Sequence, residues 1–515
     1  MSTANDILEH AQAKIDAQIL DLQERIRSLR SSRNALSLIH RLPPEVMTQI
    51  FRWLQLFYRG NMEQDGRDAA SLTKWIEVTH VSQYWRDIAL NSKALYSTIL
   101  THNLAYSKEV LKLSGSAALS LVDSVDFRTA KLWDTEELRD LIVAALPRIR
   151  NLWLGNWGST FLEPHIKQSN LVLEELCLWR WRPFIPTLFP SSLRYLRLYW
   201  CPFESYEWLP RLSSMVELVI IGSYDQLHMT VDTILNILDQ MPRLISLELA
   251  ATCESISTQG ERASRITPQL QYLKVYDPLD PIIELLLWLT FAPRFIMDLN
   301  IRTPLDSTVD SLPILFEQVG RHLRASSMVH HTAKFIWDPN SYGRESDICI
   351  SEGIEEKPYF QYHRRVRESD SFRTWLTATK ALPLGDIESL TMDMPYDASD
   401  WCDTPWHGTT TLRRLVLPNE QASSTFLEYL TSPAGIHAPF KSLEELSLHD
   451  IHYGREFKSK VQATLSARNK LGFKLRKLAF HHCNISGDSI KQLSKVVDEV
   501  EQDGGKKKGK KGNRA

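Results

Sequence analysis

The feature that most limits how this 515-residue chain can fold is a short apolar pattern, apolar-x-x-apolar-x-apolar, that returns eleven times. It occurs as Ile149/Leu152/Leu154, Leu173/Leu176/Leu178, Leu193/Leu196/Leu198, Met215/Leu218/Ile220, Leu244/Leu247/Leu249, Leu270/Leu273/Val275 and Ile296/Leu299/Ile301. After a gap of 91 residues it resumes as Ile387/Leu390/Met392, Leu412/Leu415/Leu417, Leu443/Leu446/Leu448 and Leu475/Leu478/Phe480. The last three residues of each copy alternate, which is the period of a strand with one buried face. One copy cannot bury its own face, so the copies must stack, each strand pairing in parallel with the next while the intervening segment returns along the outside. The expected class is α/β, with a parallel concave sheet.

The return segments read as helical where apolar residues recur, as over Val231 to Met241, and as short and Pro-rich around Phe184 to Pro190. Within the gap, Ala333 to Trp337 reads as a strand, and 338–370 as a polar, charged loop insertion. Upstream, Ala118 to Val122 reads as the first strand of the array. Cys201 and Cys483 fall where the turn after a strand closes, so both are expected to be packed rather than reactive.

The residues flanking the second leucine of each copy face away from the leucines. This makes Trp153, Trp179, Tyr195, Arg197, Tyr199, Lys274 and Tyr276 the candidate substrate-contacting residues, with Trp157, Trp181 and Trp200 extending the aromatic cluster at the strand ends. Exposed aromatics beside Arg and Lys are common interface anchors. The competing reading is that some of these rings pack against the linker before the array or against the tail.

Residues 5–37 contain no Gly or Pro. Leu8, Ile15, Leu22, Leu29 and Leu36 recur every seven residues; Ile19 and Ile26 fill the second seam position, which Gln12 and Arg33 interrupt. This heptad pattern predicts a helix over 1–38, with Asn5 at its start, that either forms a coiled-coil homodimer or docks on its own chain. Next comes Leu42-Pro-Pro-Glu45, suited to a helix start because the missing N–H of proline costs nothing there and Glu45 meets the positive dipole end. Val46, Met47, Ile50, Phe51 and Leu54 follow at helical spacing. Further on, Val78, Val81, Trp85 and Ile88 repeat on what reads as one helical face.

Leu-Pro-Pro-Glu with Ile50-Phe51, followed by Val81 and Trp85-Arg86, resembles an F-box, the short all-α module that binds the Skp-type adaptor of cullin-RING ubiquitin ligases. The resemblance covers 39–100, and the heptad helix before it is similar to a large group of basidiomycete F-box proteins. It implies that Leu42, Pro43, Pro44, Glu45, Ile50, Phe51, Val81 and Trp85 contact the adaptor, and through it a cullin. The sequence departs from the family at Ser82-Gln83-Tyr84, at Leu95-Tyr96, and in a longer stretch from Leu56 to Lys74. The apolar pattern is that of irregular leucine-rich repeats, expected over 101–503, and this combination resembles the substrate receptors of that ligase class. The implied function is a non-enzymatic substrate-recognition subunit binding an unidentified target protein. The alternative is a ligase-independent repeat scaffold, dimeric through its first helix.

Other classes lose support on composition. Lys+Arg is 60 against 62 Asp+Glu, so a whole-surface nucleic-acid binder is not expected, and the basic residues are enriched in the tail 504–515, which reads as disordered. The six cysteines form no CxxC pair, and no Cys/His cluster has zinc spacing, so no metal or other cofactor is expected. No nucleotide-binding glycine motif, GxSxG or HExxH occurs. The most apolar stretch, Pro281 to Pro293, is too short to span a bilayer, and the expected location is cytoplasm or nucleus.

Overall fold

In a computed structural model the described residues are 2–65, 69–123, 135–155, 161–162, 165, 173–181, 189–202, 205–222, 228–254, 265–266, 270–301, 311–328, 332–338, 345–351, 358, 360–365, 377–393, 410–431 and 440–503. The protein is mixed α/β, with a long N-terminal helix and open, mostly parallel sheet. The chain divides into two compact units, Met1–Pro202 and Phe203–Ala515. Among the described residues no helix is long and apolar enough to cross a membrane. Trp157, Cys402, His330, His331 and the basic tail lie outside the described residues.

The first unit opens with a 34-residue helix, Ser2–Ala35. It starts three residues before Asn5, so that residue lies inside the helix rather than capping it. A short 3-10 turn, Leu38–Arg41, leads to the helix Pro44–Asp65, which has Glu45 in its first turn as expected. The single helical face expected from Val78 to Ile88 is broken in two. Ala69–His80 is 3-10 helix, and Gln83–Asn91 is α-helix, its start capped by Ser82, whose hydroxyl accepts a hydrogen bond from the Trp85 N–H. The break turns Val81 outward, while Val78 and Ile88 stay buried.

Five parallel strands then follow in chain order: Thr98–Leu100, Leu119–Val122, Ile149–Leu154, Glu175–Trp179 and Tyr195–Tyr199. The ladder thus begins one strand before the expected Ala118 to Val122. Its register aligns Leu121, Leu152, Leu176 and Leu196, all buried, as the apolar pattern requires.

The second unit continues the same logic through Glu217–Ile221, Ser246–Ala250, Tyr272–Asp277 and Ile296–Ile301, each parallel to the last. Here one copy of the pattern is out of phase. Leu273 pairs with Met297 and Val275 with Leu299, so the buried residues are Met297 and Leu299, whereas Ile296 is surface-exposed. Methionine fills an irregular core position as well as leucine does, which hid the true phase.

Within the expected loop at 338–370, all but one of the described residues are strand. Thr332–Asp338, which contains the expected Ala333 to Trp337 strand, turns back antiparallel into Glu345–Ser351, and that turns back into Phe360–Arg365. Phe360–Arg365 lies parallel to Ile296–Ile301, and Thr332–Asp338 lies parallel to Ser389–Asp393. The three strands therefore sit in the ladder in reverse chain order. They escaped the sequence pattern because Ala333, Ile348, Ile350, Phe360 and Tyr362 supply the buried face in place of leucines. Arg414–Leu417, Glu445–His449, Lys477–His481 and Glu499–Gln502 complete the ladder in parallel. The return helix Val231–Gln240 forms where expected, capped by Thr230.

The strands share one way of ending. Arg180 and Trp200 in the first unit, and Ala251, Asp450 and His482 in the second, each follow the last residue of a strand at φ between 50 and 54°. Such left-handed conformations are uncommon outside glycine. At Arg180, Ala251 and Asp450 the N–H reaches the next strand, donating to the Tyr199, Tyr276 and His481 carbonyls, whereas the His482 N–H donates to the Asp503 carboxylate. Cys201 and Cys483 sit one residue further on. Each thiol is buried and donates to a carbonyl of the strand before it. Burial pushes the Cys201 thiol up to about 12 and raises that of Cys483, which fits their expected packing role.

Candidate interaction surfaces

The helix Pro44–Asp65 presents two apolar sides. Met47 and Phe51 are fully buried, with Phe51 5.4 Å from the Trp85 ring. Val46, Ile50, Trp53 and Phe57, at spacings of four, three and four residues, form a separate stripe that is exposed, Trp53 by 64%. That spacing keeps side chains on one helix face. The module around the helix is tightly held. Gln55 donates to the Leu95 carbonyl at 2.8 Å, Arg86 to the Thr79 carbonyl at 3.0 Å, and Tyr84 to the Leu42 carbonyl at 2.8 Å. The exposed stripe is therefore carried on an ordered scaffold.

Of the residues that the F-box resemblance singles out, Pro43, Pro44, Glu45, Ile50 and Val81 are exposed, and Leu42 and Trp85 are half-buried. Phe51 is a correction: it is core of the module and offers no surface to a partner. Val46, Trp53 and Phe57 were missed, because the sequence reading merged both apolar sides of this helix into one. Their own spacing was the available signal.

On the sheet of the first unit, Leu100, Val122, Trp153 and Cys177 form a buried cross-strand cluster, with Leu72, Tyr106 and Tyr199 packed against it. Trp153 is only 8% exposed, its indole donating to Glu175 at 3.0 Å, so it cannot meet a substrate as expected. Leu72 of the 3-10 segment and Tyr106 of the helix Leu104–Ser114 cover it. Burial is the main cause pushing the Tyr106 phenol up to about 12, partly offset by a hydrogen bond with Trp75. Trp181, also expected at the surface, is buried.

Past this covered stretch the face opens. Trp179, Tyr195, Arg197, Tyr199 and Trp200 are all half-buried. Trp179 lies 4.9 Å from Tyr199 and 4.5 Å, edge-on, from Trp200, and the Arg180 guanidinium lies 5.5 Å from the Trp200 ring. Arg197 pairs with Glu175 at 3.2 Å and lies over the Trp153 ring. The result is a pre-packed aromatic patch edged by guanidinium groups, a composition suited to protein contact.

The corresponding face of the second unit differs. Lys274 and Tyr276 are half-buried on Tyr272–Asp277, and Lys274 is ion-paired to Glu248 at 2.9 Å. Burial works to lower the Lys274 ammonium, but the hydrogen bond and charge of Glu248 outweigh it and the net shift is upward. On the neighbouring strands His363 bonds Asp347 at 2.8 Å and lies 3.8 Å from Asp298. Burial raises the Asp298 carboxyl, against the opposing pull of His363 and Lys274. The sequence reading assigned Asp347 and His363 to a loop and so missed this row.

Comparison of the sequence with protein-family models and with curated proteins returned no match.

Proposed function

We propose that the protein is a substrate-recognition subunit of a Skp-cullin-F-box ubiquitin ligase. Residues 39–100 would act as an F-box and the irregular leucine-rich repeats would hold a target protein. The observation that carries this reading is the stripe Val46, Ile50, Trp53 and Phe57, with Val81 nearby in sequence beyond the break. A monomeric protein gains nothing by exposing a tryptophan, a phenylalanine and two branched aliphatics at helical spacing on a rigid module, and such patches mark interaction sites. The Leu-Pro-Pro-Glu start of that helix gives the patch a partner class, the Skp-type adaptor. The aromatic patch of Trp179, Tyr195, Arg197 and Tyr199, and the charged row around Lys274 and Tyr276, are the surfaces we assign to target recognition.

The test is adaptor capture by the double variant Ile50→Glu, Trp53→Glu. Both side chains are exposed, so the fold should survive, and circular dichroism checks this. Loss of two apolar anchors should weaken adaptor binding by more than about tenfold. Full capture by a folded double variant would sink the assignment and leave the ligase-independent scaffold as the working description.

A further inference from the structure

The helix Ser2–Ala35 raises a question separate from the adaptor reading. From Glu9 to Arg33 every residue is exposed. Ile15, Ile19, Leu22, Ile26 and Leu29, the apolar seam, are exposed by about half or more, so the docked alternative for this helix is not realised among the described residues. The helix is about 50 Å long and the seam from Ile15 to Leu29 covers about 20 Å of it, and apolar side chains aligned in water over that length need a partner.

We infer that the partner is a second copy of the same helix, running antiparallel and in full overlap. Isoleucine alternating with leucine along the seam, as in Ile19, Leu22, Ile26 and Leu29, is the composition that favours two strands in parallel coils, so it speaks to the number of strands and leaves their direction to the charges. Charge decides the direction. Four of the five acids, at 6, 9, 16 and 21, lie in the first part of the helix with Lys14, and the four arginines at 25, 27, 30 and 33 lie in the last part with Glu24. Such a gradient suits the helix dipole at the two ends, but the dipole acts only within a turn of each end and does not account for residues 16 to 25. Parallel pairing would match Gln12 with Gln12, but it sets Arg25 beside Arg30 of the second copy and Arg33 against its own equivalent.

Antiparallel pairing about a twofold axis near the helix centre reverses these contacts. It sets Ile19 against Leu22, Ile15 against Ile26, Gln12 against Leu29 and Arg33 against Leu8 of the second copy, so no arginine faces its own equivalent. Glu9 then flanks Arg30 of the second copy, and symmetry makes that contact twice. The charges needed are the free ones. Asp21 and Glu24 are held within the helix by Arg25 at 3.0 Å and Arg27 at 2.9 Å, whereas among the described residues Glu9, Asp16, Arg30 and Arg33 form no ion pair.

The experiment is sedimentation equilibrium of the full-length chain at micromolar concentration, with four variants. The native chain should be a dimer and Leu22→Glu a monomer. Arg30→Glu should raise the dissociation constant about tenfold, and so should Glu9→Arg, because each replaces two attractive contacts by repulsive ones. The double variant Glu9→Arg, Arg30→Glu should return to the native value. A parallel coil predicts the opposite sign for Arg30→Glu, since it would relieve the Arg25–Arg30 repulsion. Tighter association of Arg30→Glu, a monomeric native chain, or a Leu22→Glu variant that remains a dimer would each overturn the proposal.

Discussion

Leu22 and Leu196 lie in the same compact unit and meet opposite fates. Leu22, on the first helix, is 57% exposed; Leu196, on Tyr195–Tyr199, is fully buried, paired to Leu176 of the parallel strand Glu175–Trp179. Both belong to periodic apolar rows, one of seven residues and the other set by the strand pleat. The difference lies in what each row needs. A ladder of strands covers its apolar face with the return segments of the same chain, so the leucine is satisfied locally. A lone helix presents its stripe wherever it goes, and only another surface can cover it. The first two α-helices therefore leave apolar side chains exposed, which we assign to association, while the strands use theirs for stability.

The sharpest way to break this contrast is truncation on the two sides. Leu196→Ala should cost about 2–5 kcal/mol of unfolding free energy, and Trp153→Ala about 3–5 kcal/mol, because each leaves a cavity in a packed face. Trp53→Ala and Phe57→Ala should each cost less than about 0.5 kcal/mol, since water already reaches those side chains. Denaturant unfolding of the four variants checks this. A Trp53→Ala variant as unstable as Trp153→Ala would mean that the exposed stripe is part of the core.

A smaller effect separates the two regions by pH. Asp277 is buried at the end of its strand, and one of its oxygens accepts from the backbone N–H groups of Thr252 and Cys253 at 2.9 and 3.1 Å. Burial outweighs those bonds and pushes the carboxyl up to about 6. A carboxyl raised above its unfolded value of about 4 binds its proton more tightly in the folded state, so the contribution of Asp277 to stability is greatest below about pH 4 and falls as pH rises towards 6. The loss should be on the order of 2 kcal/mol. Asp277→Asn should flatten that part of the pH–stability curve; an unchanged slope would remove Asp277 as its source.

The smallest effect falls on the boundary between the two behaviours. Tyr199 packs against the covered cluster on one side and Trp179 on the other while remaining partly exposed. Tyr199→Ala should cost about 1 kcal/mol of stability, less than Leu196→Ala, yet it should reduce recovery of any bound target. Equal destabilisation by the two variants would put Tyr199 wholly inside.

Much of this was legible in the chain itself. All eleven copies of the apolar pattern lie on or beside a strand, because alternation of leucines is a local signal that stacking amplifies. The long helix was equally plain from its heptads. The cover over Trp153 was legible only as the competing reading, because Leu72 and Trp153 are distant in sequence and only the assembled unit brings them together. The reversed strands around Glu345–Ser351 were hidden for a different reason: a strand built on alanine, isoleucine and tyrosine satisfies the ladder without repeating its motif. Phe51 was misassigned because periodicity reports that a residue is apolar, not which of two apolar sides it occupies.

The left-handed residue that closes so many strands has a consequence for how the protein can change. At Arg180, Ala251 and Asp450 the backbone N–H bonds the next strand, and arginine, tryptophan, alanine, aspartate and histidine all stand in this conformation at a similar cost of about 1–2 kcal/mol. Because the conformation and not the side chain does the structural task, each such position is a socket of constant aim. New chemistry can be mounted there, repeat by repeat, while the leucines behind it stay untouched.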